Sequence, residues 1–178
     1  GDVYKRQGVG GGMVLNNQLY QKSPNLAGAF GHMVVTQNGK LCGCGRKGCI
    51  EAYSSGTALK EQLKNTKYKT FTVKEILLNK SDQTWVIELI KHAASYLSEG
   101  IVNVNSLLVI KNFIIGGSIG LNNTFFNEIK SQTKIITSEK IIFKKAKLKN
   151  NAEVFGCLAY SSLQNLSLIH ISEPTRPR

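Results

Sequence analysis

The 178-residue sequence predicts an α/β fold, and three stretches carry that prediction. Phe113-Ile114-Ile115 reads as a buried strand that stops at Gly116-Gly117-Ser118-Ile119-Gly120 and gives way to a helical pattern from about Thr124 to Thr133. Upstream, Trp85-Val86, Leu89-Ile90, Ala93-Ala94, Leu97 and Ile101 recur on one face of a long amphipathic helix that starts near Ser81 and continues near Asn105. A glycine cluster, Gly8 to Gly12, leads into a short hairpin near the beginning. Strands that precede a run of helices and further strands call for a layered α/β architecture.

Both ends are set aside before the composition is read. Asp2-Val3-Tyr4-Lys5-Arg6-Gln7 reads as the translation of a transposase mosaic-end adapter, and Leu166 through Arg176 as the same element on the opposite strand. Residues 1–7 and 166–178 are therefore expected to be adapter-derived, and residues 8–165 to form one domain-sized body. The chain has a formal net charge of +12, and the body alone is still strongly basic. Such a balance suits nucleic acid or an anionic surface. The body's basic residues, however, are lysines scattered among asparagines and isoleucines, with Arg46 the single arginine. There is no aromatic-interleaved basic stripe and no helix-turn-helix pattern. No apolar run approaches the length of a membrane span.

In order, Met13-Val14-Leu15 and Gln18-Leu19-Tyr20 pair across an Asn16-Asn17 turn. The glycines before them could let backbone amides approach phosphate, although glycines at the start of a hairpin are more often turn chemistry. Ser23 to Phe30 is a small-residue loop, and Met33 to Gln37 a short strand. Glu51 to Lys64 reads as one helix, with Ala52, Leu59 and Leu63 on a face. Thr72 and Glu75 form a capping box for Val73 to Leu78. Lys140 to Lys149 reads as a half-exposed strand region. The final helix, Ala152 to Leu163 after an Asn151 cap, carries Cys157 as a packing residue.

The chemistry concentrates between Gly31 and Glu51. Cys42, Cys44 and Cys49 lie in a loop with glycines at 43, 45 and 48, and His32 is the histidine near enough in sequence to join them. Three thiolates and an imidazole make the soft tetrahedral set that zinc prefers, so a zinc knuckle is expected. A disulfide and simply buried thiols are the competing explanations. An uneven trio of cysteines argues against the first. A Gly- and Lys-rich loop, which is not core-like, argues against the second. Reduced, metal-binding cysteines favour a cytoplasmic location.

Gly31-His32-Met33, the Cys42-x-Cys44-Gly45-x-x-Gly48-Cys49-x-Glu51 run and Ser55-Gly56-Thr57-Ala58-Leu59 together resemble the signature of the ROK family of bacterial sugar kinases and sugar-responsive repressors. The resemblance extends from Gly8 to about Leu163. It implies the C-terminal lobe of the ribonuclease-H-like, actin-like ATPase fold. It implies ATP with Mg2+ as co-substrate, a hexose or amino sugar as acceptor, and a homodimer in the full-length protein. By the same resemblance, one ring nitrogen of His32 binds zinc and the other a sugar hydroxyl, and Glu51 accepts from a second hydroxyl. Gly8, Gly10 and Gly11 belong to a phosphate-contacting loop, and Gly116, Gly117 and Ser118 lie near adenosine. On its own terms, Glu51 is a first-turn carboxylate favoured by the helix dipole. Two departures from the pattern stand out. Ala29 replaces a family glutamate three residues before the histidine. The family's catalytic aspartate also belongs to an N-terminal lobe that this sequence does not contain, so the chain alone is expected not to turn over substrate. The alternative within the family is the sugar-sensing lobe of a repressor, which would bind DNA through a separate N-terminal domain.

Overall fold

The computed structural model describes residues 8–20, 29–80, 82–148 and 151–163. The expected adapter segments and most of the Ser23 to Phe30 loop lie outside them.

The hairpin forms as read. β1 (Val14–Leu15) pairs antiparallel with β2 (Gln18–Leu19). Asn16 and Asn17 both take positive φ, 52° and 60°, the geometry of a type I′ turn that asparagine tolerates better than most residues. Next, a 3-10 turn at Phe30–His32 enters the cysteine loop. The expected Met33–Gln37 strand is reduced to a bridge between Val34 and Cys49, flanked by Val35 N–H to Gly48 O at 2.9 Å and Ile50 N–H to Met33 O at 3.0 Å. Gly48 is left-handed at φ 81°, and this ends the ladder where the loop must turn.

The single helix expected from Glu51 to Lys64 is two. α1 (Glu51–Ser54) stops at Ser55, which is extended (φ −78°, ψ 158°) and whose Oγ caps α2 (Gly56–Leu63) by accepting from Ala58 N–H at 3.0 Å. Serine followed by glycine favours a cap over helix interior, and the periodicity alone hides that break. α3 (Val73–Asn79) carries the capping box as expected: Thr72 Oγ1 accepts from Glu75 N–H at 3.2 Å, and Glu75 Oε2 accepts from Thr72 N–H at 2.7 Å.

α4 (Thr84–Leu108) is the central beam. Its Val86, Leu89, Ile90, Ala93, Ala94 and Ile101 are buried in one apolar cluster with Leu59, Leu63, Ile76 and Leu77 of α2 and α3. The same cluster takes in Phe125 and Ile129 of α6 (Asn123–Ile136), a helix capped by Asn122 Oδ1. Each large aliphatic side chain buried this way contributes about 1.5–3 kcal/mol. Buried hydroxyls are satisfied in place: Ser98 Oγ donates to Ile129 O at 3.1 Å, and Ser54 Oγ donates to Ala93 O at 2.7 Å.

β3 (Asn112–Ile115) pairs in parallel with β4 (Ile142–Lys145), joined by α5 (Gly117–Gly120) and α6 in a crossover. The half-exposed strand expected after Lys140 is thereby found. β3, expected to be buried, is covered on one face only: Phe113 and Ile115 meet the core, while Ile114 is 69% exposed. α7 (Ala152–Leu163) leaves Val154, Phe155 and Leu158 open, and Cys157 is exposed instead of packed. Apolar residues run all round this helix, so no single stripe directs it onto the body. No helix among the described residues is long and apolar enough to cross a membrane.

Candidate metal and sugar site

Two glycines shape the cysteine loop. Gly45 (φ 86°) and Gly48 (φ 81°) are left-handed, and a Cβ on Gly48 would stand 1.9 Å from the Thr36 carbonyl oxygen. Cys42 N–H bonds Arg46 O at 2.8 Å and Gly45 N–H bonds Cys42 O at 2.9 Å, closing a tight turn around the thiols. Contrary to the view that thiols in this loop are not core-like, Cys42 and Cys49 are buried and only Cys44 is exposed. The glycines fold two sulfurs inward.

The ligand atoms of His32, Cys42, Cys44 and Cys49 all lie within 4.8 Å of one another. Cys42 Sγ is 3.6 Å from His32 Nδ1, and Cys44 Sγ is 3.7 Å from Cys49 Sγ. Tetrahedral zinc, with bonds of about 2.3 Å to sulfur and about 2.05 Å to nitrogen, sets sulfurs about 3.8 Å apart and sulfur and nitrogen about 3.5 Å apart. The residue types and these two separations suit that ion. All four cysteines are free, so the disulfide alternative gains no support.

The thiols are unequal. The Arg46 backbone N–H, and then its guanidinium, hydrogen-bond Cys44 and hold its pKa down to about 6, whereas burial pushes Cys49 up to about 12. Arg46 also donates from Nη2 to the His32 carbonyl at 2.6 Å. The sequence offered one signal for this residue, its standing as the single arginine of residues 8–165, but nothing in it pointed to the His32 carbonyl. Tyr53 was missed as well. Its hydroxyl accepts from Lys40 N–H at 2.6 Å, and its ring stacks on Tyr96 of α4 with centroids 3.8 Å apart. The loop is thereby tied to the core.

Glu51 and Gly31, the residue before His32, both meet the first glycine segment. Glu51 Oε2 accepts from Val9 N–H at 3.0 Å, and Gly8 lies so close that a Cβ there would meet the same oxygen at 2.6 Å. Val9 in turn crosses Gly31, where a Cβ would stand 1.9 Å from the Val9 carbonyl oxygen. Gly100 of α4 admits Ile50 and Phe30, either of which a Cβ would strike, so the beam supports both the turn before His32 and the residue before Glu51. Gly10 has open space beside it.

The second glycine group sits in the other sheet layer. Gly116 is extended at the end of β3, against Ala146. Gly117 is left-handed (φ 78°) with no atom near its missing Cβ, and Ser118 follows within α5.

Comparison with known proteins identifies the family. The model of the ROK family matches residues 3–162. The N-acetylmannosamine kinase of Escherichia coli O6:H1 is 36% identical over 129 residues, which is 72% of this chain and 44% of that protein. This chain thus spans less than half the length of that relative. In structure, the ROK hexokinase of Thermus thermophilus superposes with a TM-score of 0.80 at 23% identity, over 89% of this chain and 57% of that one. A ROK family glucokinase from Streptomyces griseus, solved with glucose and AMPPNP, gives 0.72 at 24% identity, over 88% and 58%.

Proposed function

The chain belongs to the ROK family, and on that premise we propose that residues 8–165 are the C-terminal lobe of an ATP-dependent kinase that phosphorylates a hydroxyl of a hexose or N-acetylhexosamine. The observation that carries the proposal is that Glu51 and Gly31, the residue before His32, both meet the Gly8–Val9 backbone, while His32 itself joins a cysteine cluster suited to zinc. The name of the Escherichia coli relative favours an N-acetylated amino sugar, and the ligands of the Streptomyces griseus glucokinase favour ATP as phosphoryl donor.

In this reading the residues divide the work. His32 turns Nδ1 toward Cys42, which leaves Nε2 for a sugar hydroxyl. His32, Cys42, Cys44 and Cys49 would hold a structural zinc ion, which would fix the tautomer and orientation of the His32 ring. One Glu51 oxygen is engaged by Val9 N–H, so the other is left to accept from a second hydroxyl. That same bond steadies the glycine segment, whose Gly10 and Gly11 amides would approach phosphate. Gly116, Gly117 and Ser118 would take the nucleoside end, where the bare Gly117 backbone permits close approach. Mg2+ arriving with ATP would neutralise phosphate charge. Positioning of this kind supplies much of the catalysis in phosphoryl transfer. By the family resemblance, the base that accepts the hydroxyl proton would belong to the other lobe of such a kinase.

The test is the full-length open reading frame, assayed for sugar-dependent ATP hydrolysis on a panel of hexoses and N-acetylhexosamines. Turnover on one of them, lost in His32→Ala together with metal, is the expected result. An inactive protein that binds operator-like DNA would hand the site to the repressor reading.

A further inference from the structure

Arg46 reaches three of the four candidate metal ligands. Its Nη2 donates to the His32 carbonyl at 2.6 Å across 14 positions of sequence, its own carbonyl accepts from Cys42 N–H at 2.8 Å, and its backbone N–H and guanidinium both face the Cys44 thiol. A solvent-exposed arginine ordinarily gains little from ordering its long side chain. Here the fork closes a ring in which the turn at Phe30–His32 and the loop from Cys42 to Cys49, two segments with few regular hydrogen bonds between them, are held in one frame. We propose that Arg46 is a positioning residue for this site, spanning the Cys44 sulfur and the His32 backbone so that metal retention and the orientation of the His32 ring both depend on it. This rests on reading the four-ligand cluster as a metal site.

Lysine cannot substitute fully. It carries the charge but lacks the planar fork that serves two acceptors at once, while glutamine keeps a donor and loses the charge. Because Cys44 is the exposed thiol of the set, it is also the ligand that water or a competing chelator reaches first. A guanidinium anchored at the His32 carbonyl, with the Arg46 carbonyl accepting from Cys42 N–H, holds the Cys44 turn against its departure.

The experiment loads the 178-residue chain with cobalt(II) as a spectroscopic stand-in. It records the tetrahedral d–d absorption and the rate of release to a chelator for wild type, Arg46→Ala, Arg46→Gln and Arg46→Lys. Wild type should bind one ion per chain. Arg46→Ala and Arg46→Gln should keep that stoichiometry, shift the d–d band and release the ion about tenfold faster or more, the equivalent of one charge-assisted hydrogen bond. Arg46→Lys should fall between. A merely structural arginine would lower the melting temperature and leave band and release unchanged below it. That result, or wild-type release from Arg46→Ala, overturns the proposal. If circular dichroism shows that Arg46→Ala is unfolded, Arg46→Gln and Arg46→Lys decide by the same criteria. Wild-type protein that binds no cobalt would remove the metal reading itself, and the role of Arg46 with it.

Discussion

His32 Nδ1 stands 3.6 Å from Cys42 Sγ, a separation two ligands adopt when they share one small ion. The purified chain is therefore expected to hold one zinc through His32, Cys42, Cys44 and Cys49. Cys44→Ser should lower occupancy and chelation should loosen the loop. Elemental analysis checks both, and full occupancy in the serine variant would count against the assignment.

Metal affinity should rise with pH, and the unequal thiols set the window. Zinc binds thiolate, so every thiol still protonated must release its proton on binding. With its pKa near 6, Cys44 has given up its proton at neutral pH, whereas Cys49, near 12, still holds its own. Binding at neutral pH thus displaces at least the Cys49 proton, and affinity should gain about tenfold per pH unit from that group. Below pH 6 Cys44 also protonates and the dependence steepens. Competition titrations at several pH values read the slope, and a flat profile would be incompatible with these assignments.

Gly48 cannot be replaced cheaply. Its φ of 81° is costly for any residue with a Cβ, and that atom would stand 1.9 Å from the Thr36 carbonyl oxygen. Gly48→Ala should destabilise the loop by more than about 2 kcal/mol and lower zinc retention. Gly43→Ala, with open space around it, should leave retention near wild type.

Ala29 lies at the head of the His32 turn, where its carbonyl accepts from His32 N–H at 2.9 Å. The resemblance puts a glutamate here, and a methyl group cannot accept from a sugar hydroxyl. In the full-length protein Ala29→Glu should tighten sugar binding by the worth of one charge-assisted hydrogen bond, about 1.5–3 kcal/mol. Calorimetry with the best sugar of the panel measures it. Unchanged affinity would place the sugar elsewhere.

How much of this was legible beforehand depended on the range of the interactions. Thr72 with Glu75, the Asn16-Asn17 turn and the apolar stripe of α4 are set by residues within a few positions of one another, and the sequence displayed them directly. The four metal ligands were legible because their residue types are rare and crowded into one loop. Ser55 broke a helix that periodicity had joined, because a local cap competes with a pattern that is blind to it. Arg46 and Tyr53 were missed for another reason. Each acts on a backbone group 13 or 14 positions away, His32 O and Lys40 N, and no periodicity marks such a partner. The exposure of Ile114 and Cys157 was invisible because an apolar residue in a strand or helix announces a wish for cover and not its presence.

That missing cover leads to the last prediction. The described strands form two separate two-stranded sheets, β1 with β2 and β3 with β4, so neither pair is extended by the other. A two-stranded sheet with a free edge presents unpaired backbone groups, and here the outer face of β3 adds Ile114 at 69% exposure. Elsewhere the surface carries Leu107 at 81%, Val109 at 71% and Ile135 at 75%, while α7 contributes Val154 at 61% and Phe155 at 51%. Exposed apolar groups in this number, with open strand edges, drive association between copies. The net charge of +12 opposes it, and that opposition weakens as salt screens the charge. The chain expressed alone should therefore self-associate, more strongly at high ionic strength, and Ile114→Lys should reduce the effect by adding charge to the open face of β3. Sedimentation velocity across a concentration and salt series reads both. A sharply melting monomer at high concentration and high salt would show that these faces are covered in solution by contacts the fold described here does not contain.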